Sequence, residues 1–308
     1  MIGAIVAQSE APDRWEQALY AFLAEKERRS GSVRTVQSYS RMLRYFFGKL
    51  GKTPDLVTPP DVLAFAHSVG LSGKEPSAIT IGARIACVSS FFKFLIRMEF
   101  LERNPCDALE RPKTPQSTPR GLTAEEVQRL LAVIPETPVG LRDQAIILTF
   151  VLTGRRRSEV INLTAGDIEP GEPAFYTYRG KGGKQGRREL PHPAYLAIVA
   201  ALTAFDRDLA ALEPNDSIWP TAAHTGGVSS GSVYANFRRY LKAAGLPGSG
   251  LHVLRHTAAK LRREAGQSVE DVSRFLDHSS LAVTSIYLRR LEGERDTAWM
   301  TVAAQLRS

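Results

Sequence analysis

The sequence predicts a mainly α protein in two domains with one small β-sheet, and three observations carry that expectation. The chain has 308 residues, more than a single hydrophobic core ordinarily serves. Apolar residues recur at three- and four-residue steps through most of its length. One stretch breaks the rhythm: AFYTYRGKGGKQGRRELPH, starting at Ala174, alternates like a strand and turns through glycines 180, 182, 183 and 186. It then returns as a second strand, which reads as a β-hairpin.

The elements follow in order. A first helix covers about 13–29. Ser32 is placed to cap a helix over 33–50, which carries Val33, Val36, Tyr39, Leu43, Phe46, Phe47 and Leu50 at helical steps. Thr58, followed by Pro59 and with Asp61 at the third position, starts a helix running to about Val69. A longer helix over 77–98 carries Ile81, Ile85, Val88, Phe92, Leu95 and Ile96. Together they form a small bundle, residues 13–111. Pro112, Pro115 and Pro119 then fix φ and remove backbone donors, so 112–121 is expected to be an extended connector.

In the second domain, 122–308, Thr123 and Glu126 form a capping box that opens a helix. Leu141 to Leu152 is a strongly apolar, central helix. The hairpin strands fall at 174–179 and 187–190. Helices follow at about 193–211, 230–243, 253–265 and 269–276, with a tail from 281 onward.

Composition sets outer bounds. Hydrophobic content of 43% and charged content of 23% are ordinary for a soluble globular protein. No apolar run reads as long enough to span a bilayer, and MIGAIVAQSEAPDR lacks the features of a signal peptide. Cys87 and Cys106 form no disulfide framework and point to a reducing compartment. A net charge of +8 is the footprint expected of a nucleic-acid binder.

Four polar clusters carry the chemistry, and each alone admits a bland reading. TGRRRSEV, 153–160, sets three arginines after an apolar helix; Glu159 lies three residues beyond Arg156 and is placed to orient it. Alone, the run reads equally as a solvated basic face. RGKGGKQGRR, 179–188, is a basic glycine-rich tip without the spacing of a phosphate-cradling P-loop. LHVLRHTAAKL, 251–261, puts His252 and Arg255 on one face at a helix start. There the positive dipole end favours an anion. His252 and His256 have zinc-compatible spacing, but the glutamate of H-E-x-x-H is missing and no third ligand is evident. FLDHSSLAVTSIYLRR, 275–290, sets His278 nine positions before Tyr287, a tyrosine that by itself reads as half-buried core. In the first domain Arg34, Arg41, Arg44, Lys93 and Arg97 lie on outward faces, either solvated or DNA-facing.

In order, these clusters resemble the tyrosine recombinases of the phage-integrase family, nearest in layout to the compact Xer-type members. Thr153-Gly154-Arg155-Arg156-Arg157-Ser158-Glu159 matches T-G-x-R-x-x-E, so Arg156 takes the first arginine role, with Glu159 in support. Gly180-Lys181-Gly182 matches the hairpin lysine, His252 and Arg255 match H-x-x-R, and Leu276-Asp277-His278 matches L-G-H. Tyr287 stands at the nucleophile position. Two residues depart from the pattern. Asp277 replaces the usual glycine and is expected to shift His278 or to adopt the αL conformation itself. Arg155 replaces a usually apolar residue and is expected to reach DNA or a carboxylate.

The resemblance implies a helical, SAM-like core-binding domain and a tyrosine-recombinase catalytic domain that together clamp duplex DNA. It implies attack by Tyr287, a 3′-phosphotyrosyl intermediate and a Holliday junction. Arg156 and Arg255 would hold the non-bridging oxygens, His252 and His278 would add hydrogen bonds, and Lys181 would protonate the leaving 5′-oxygen. This cationic set does the work of a divalent metal, so no metal and no cofactor are expected. Arg34, Arg41, Arg44, Lys93, Arg97, Arg155, Arg157 and Lys184 are the expected DNA contacts. The implied partners are double-stranded DNA with an inverted-repeat site and three further copies of the chain, with no membrane. The implied location is cytoplasmic, at the nucleoid. The expected layout has no separate arm-binding domain. A terminal helix carrying Ala298, Trp299, Val302, Ala303 and Leu306 beyond Gly293 is expected to dock on a neighbouring protomer.

Overall fold

A computed structural model describes residues 13–70, 73–113, 120–180, 185–221 and 226–277. The chain divides into two compact units, Met1–Gln116 and Ser117–Ser308. Residues 114–119 of the expected connector, 181–184 of the hairpin tip, and all residues from 278, including the expected tail from 281, lie outside the described residues.

The first unit is built from α1 (Arg14–Ser30), α2 (Val33–Leu50), α3 (Pro59–His67) and α4 (Ala78–Arg97). Their starts are set by short side chains that accept the orphan amides of the first turn. Asp13 accepts from Glu16 at 3.0 Å, Ser32 from Thr35 at 3.3 Å, and Ser77 from Thr80 at 3.3 Å. At α3 the carboxylate of Asp61 accepts the Thr58 amide at 2.9 Å. Aromatic rings fill the core: Phe22 meets Phe91 at 5.3 Å and Phe94 at 5.5 Å, both edge-on. Each such pair adds about 0.5–1.5 kcal/mol beyond area burial.

Two expectations for this unit are corrected. The helix expected to run to Val69 stops at His67, because Ser68 is extended at ψ 142. Arg84 of α4 caps the end of the helix by donating to the carbonyls of Phe65, Ala66 and Ser68 at 3.1, 3.1 and 2.6 Å. Secondly, α4 is long and apolar enough, by length and composition, to cross a membrane. Half of that apolar window is buried, and Ile81, Ile85, Val88, Phe91, Phe92 and Leu95 form the centre of the unit's core.

The second unit contains α5 (Ala124–Ala132), α6 (Pro138–Thr153), α7 (Arg157–Ile161), β1 (Ile168–Glu169), β2 (Phe175–Arg179), β3 (Gln185–Glu189), α8 (His192–Thr203), α9 (Ser230–Ala243), α10 (His252–Glu264) and α11 (Val269–Leu276). The strands form one antiparallel sheet in the order β1-β2-β3, so the whole is mainly helical with a small sheet. α6 is central, burying Ala145, Ile146, Ile147, Phe150 and Val151, and it packs on α8 and α10. Its buried Asp143 joins α6 to α9 by accepting from Tyr240 Oη at 2.9 Å and Asn236 Nδ2 at 2.7 Å.

The hairpin reading holds to the edge of the tip, where Arg179 pairs with Gln185. The two-residue β1 escaped the sequence reading because it is too short to show an alternation; it pairs Ile168 with Tyr176 and Glu169 with Phe175. The helix expected over 193–211 ends at Thr203. Asp206 sits at φ 55, and the amide of Arg207 turns back to Leu202 O at 3.0 Å, so the chain leaves the helix there. Residues 209–211 form a separate 3₁₀ turn capped by Asp208.

Candidate active site

α6 ends at Gly154, whose φ of 63 lies in the left-handed region and whose amide closes on Phe150 O at 2.9 Å. A Cβ here would stand 2.5 Å from the Phe275 ring, so glycine answers both the turn and the close approach. The chain then passes through Arg155 and Arg156 and enters α7.

Arg156 is the N-cap of that helix. The buried carboxylate of Glu159 accepts its backbone N–H at 2.8 Å and its Nη1 at 2.9 Å. One carboxylate thus fixes both the backbone and the guanidinium, by charge-assisted bonds. The Arg156 side chain is still 39% exposed, so an incoming anion can reach it.

Arg255, in the first turn of α10, is only 4% exposed. Its Nη1 donates to Gly154 O at 2.7 Å and its Nη2 to Leu276 O at 2.6 Å. Burial, and then the charges of Arg156 and Arg155, push its pKa down to about 10, which leaves it charged at neutral pH. Four guanidiniums (Arg155, Arg156, Arg188, Arg255) meet two carboxylates (Glu159, Asp277) in this region, among the described residues. Such a site favours an added anion.

His252 opens α10 and keeps an exposed surface. Desolvation, then Arg255 and Arg156, hold its pKa below the ordinary histidine value. It is therefore neutral near pH 7 and able to accept a proton. Since U then binds more protons than N as pH falls through 6.5, His252 favours unfolding on the acid side. The Arg156→Gln variant is expected to raise the His252 pKa, read from imidazole C–H resonances across a pH titration. An unchanged midpoint would show that the Arg156 charge is not felt there. The His256 ring lies edge-on to His252 at 4.6 Å. Among the described residues no group of three or more His, Cys, Asp or Glu side chains is placed to hold a metal ion.

The two departures from the family pattern have distinct outcomes. Asp277 does adopt the αL conformation, at φ 50 and ψ 47, as the C-cap of α11. Its carboxylate accepts from Arg155, from the Tyr178 hydroxyl and, at 3.0 Å, from Arg188 Nη2. Burial pushes its pKa up, but these donors outweigh that and leave it below the ordinary aspartate value. Arg155, counted above among the DNA contacts, is corrected: it is 1% exposed and faces the interior. It donates to Asp277 and to Phe275 O, and its guanidinium lies 4.3 Å from the centre of the Tyr178 ring. A charge so buried needs a fixed partner, and Asp277 is that partner.

The other site residues sort as follows. Arg157 is exposed. Lys181, Lys184, His278 and Tyr287 lie outside the described residues. In the first unit Arg34, Arg41, Arg44, Lys93 and Arg97 are all exposed. Arg97 is engaged with Glu25, and Arg44 Nε reaches Ser40 Oγ at 3.4 Å. Tyr178 and Arg188 were not singled out in the sequence. The signal lay in the hairpin register: Tyr178 faces Gly186, where any Cβ would overlap the tyrosine ring, and Arg188 faces Tyr176.

An anion-attracting turn between two helices, backed by a hairpin, suits an enzyme that acts on a phosphate group, and similarity to known proteins makes the class definite. Residues 120–294 match the phage integrase family, and the chain belongs to that family as a tyrosine recombinase, an enzyme that breaks and rejoins DNA strands. It is 32% identical over 250 residues to tyrosine recombinase XerA of Pyrococcus furiosus, covering 81% of this chain and 82% of that one. It is 28% identical over 290 residues to tyrosine recombinase XerD of Listeria monocytogenes, covering 89% and 93%. Against tyrosine recombinase XerC 2 of Ralstonia nicotianae the match, 33% identical over 220 residues, spans 68% of this chain and 61% of the relative. In fold it is similar to a lambda integrase dimer bound to a COC′ core site, with a TM-score of 0.68 at 20% identity, covering 92% and 98%. It is also similar to XerH recombinase bound to palindromic difH substrate, with a TM-score of 0.65 at 20% identity, covering 98% and 91%.

Proposed function

We propose that this recombinase cuts DNA at a specific site by attack of Tyr287 on a phosphodiester, and rejoins it through a Holliday junction. The phenolic oxygen bonds to phosphorus and the 5′-oxygen leaves. The result is a 3′-phosphotyrosine and a free 5′-hydroxyl, with the bond energy kept for religation. Arg156 and Arg255 neutralise the charge that develops on the non-bridging oxygens. Neutral His252 accepts the phenolic proton, His278 adds a hydrogen bond, and Lys181 from the hairpin tip protonates the leaving oxygen.

One observation carries this reading. Arg255 is a buried guanidinium whose charge is disfavoured by its surroundings and by two neighbouring arginines, and it stands beside a neutral histidine. A phosphodiester anion relieves that repulsion, and the developing dianionic transition state relieves it further. Two arginines and a lysine supply the positive charge, so the reaction needs no divalent cation. The inverted-repeat site is supported by the similar XerH structure on a palindromic substrate; assembly of four copies around two duplexes belongs to the same reading. Exposed Arg34, Arg41, Arg44, Lys93 and Arg157, together with Lys184, are the phosphate contacts of this reading.

The test uses a duplex that the full chain selects from a random pool, nicked so that cleavage traps the enzyme. In excess EDTA an SDS-resistant adduct with a free 5′-hydroxyl is expected. Loss of the adduct in EDTA, with recovery on adding magnesium or manganese, would sink the metal-free mechanism.

A further inference from the structure

Arg155 and Asp277 are 122 residues apart in the chain, and they bond to each other in the interior of the second unit. The residues just before them, Gly154 and Leu276, supply the two carbonyls that hold the Arg255 guanidinium. The ion pair therefore staples together the two chain segments that aim Arg255. From this juxtaposition we propose that Arg155 and Asp277 are positioning residues for DNA cleavage, acting as one crosslink that sets the orientation of Arg255.

Three observations support it. First, Asp277 takes a left-handed conformation that glycine adopts without strain and that among other residues is most open to Asp and Asn. A carboxylate at such a position calls for a function, and its bonds to Arg155, Tyr178 and Arg188 provide one. Second, Arg155 makes its bonds on both sides of the gap: its Nε donates to Thr153 O at 3.2 Å, and its other arms reach Phe275 O and Asp277. It spans the same two segments as Arg255, one residue along on each. Third, Tyr178 comes from β2 and Arg188 from β3, so both strands of the hairpin are tied to the same carboxylate. The root of the element that carries Lys181 is thereby anchored to the Arg255 clamp.

The inference rests on the reading of Arg255 as a phosphate clamp, and the experiment separates the two. Asp277→Asn keeps the shape and tolerates αL, but removes the charge; Arg155→Gln removes the other half. Each full-length variant, and the double variant, is tested on the nicked selected duplex. Duplex affinity and the adduct-forming rate at saturating protein are measured separately, with melting temperature as the folding control. Each single variant is expected to slow the saturated rate by about 10–100-fold with affinity within about twofold, as a small misalignment of a catalytic group does. The double variant is expected to be no slower than the slower single one, because both break the same crosslink. Should Asp277→Asn be unfolded at the assay temperature, Arg155→Lys, which keeps the buried charge but not the fork, is expected to show the same split. Saturated rates within about twofold of the unmodified protein overturn the proposal. So do losses that add, or rate and affinity falling together. The Arg255→Ala variant on the same duplex isolates the premise: unchanged cleavage there removes the clamp reading itself, whereas lost cleavage with unaffected Asp277→Asn removes only the crosslink.

Discussion

Tyr287→Phe is expected to bind the selected duplex with unchanged affinity and to form no covalent adduct on the nicked form. The substitution deletes one hydroxyl and keeps the ring, so only the proposed nucleophile is lost. A protein phosphodiester bond needs an oxygen to attack phosphorus, and no neighbouring water produces an SDS-resistant link in its place. The measurement is a denaturing gel of end-labelled duplex. An adduct from the Phe variant would move the nucleophile to another tyrosine. The two that sequence order leaves as substitutes are Tyr234 and Tyr240, and the structure distinguishes them. Tyr240 is 3% exposed, donates to Asp143 at 2.9 Å, and has its pKa raised by burial and then by that carboxylate. It is a structural tyrosine with its hydroxyl committed. Tyr234 is 41% exposed on α9, so of the two it is the one with a hydroxyl open to such an adduct.

Arg255→Ala is expected to slow adduct formation by about 10²–10³-fold, the loss typical when one preorganised donor to a developing oxyanion is removed. The same change leaves the buried carbonyls of Gly154 and Leu276 without these donors, at about 1–3 kcal/mol each, so a lower melting temperature is expected too. Arg255→Lys distinguishes the two effects. Lysine restores a positive charge but cannot reach both carbonyls and a phosphate with one planar fork. Its rate is expected to recover only partly, while duplex affinity, set by many phosphate contacts, changes little. Recovery of the full rate by lysine would show that charge alone, without geometry, is what Arg255 supplies.

Much of this was legible in the chain, for reasons that differ from element to element. The helix starts at Val33, Ala78, Ala124 and Val269 are specified locally, by a capping side chain and an apolar stripe within a few residues. The Arg156–Glu159 pair was legible for the same reason, since a helical start brings residues three apart together. The ends of helices were less so. α3 stops at His67 because Arg84, far along the chain, takes its last carbonyls, and α8 stops because Asp206 turns left-handed. The strand Ile168–Glu169 is specified by its partner Tyr176 and Phe175 rather than by any pattern of its own.

The sequence by itself determined the class of fold and the order of the side chains proposed for catalysis, because periodicity, capping and motif spacing are properties of neighbours. Only the tertiary structure decided what Arg155 does. Beside Arg156 and Arg157 it reads as one of three DNA-facing cations, yet Arg157 is exposed and Arg155 is 1% exposed. What separates them is Asp277, more than a hundred residues away, which the packing of α11 on α10 brings to the turn after α6. A charge enters the interior only where the fold delivers a counter-charge, and that delivery is a property of the whole chain rather than of any stretch of it.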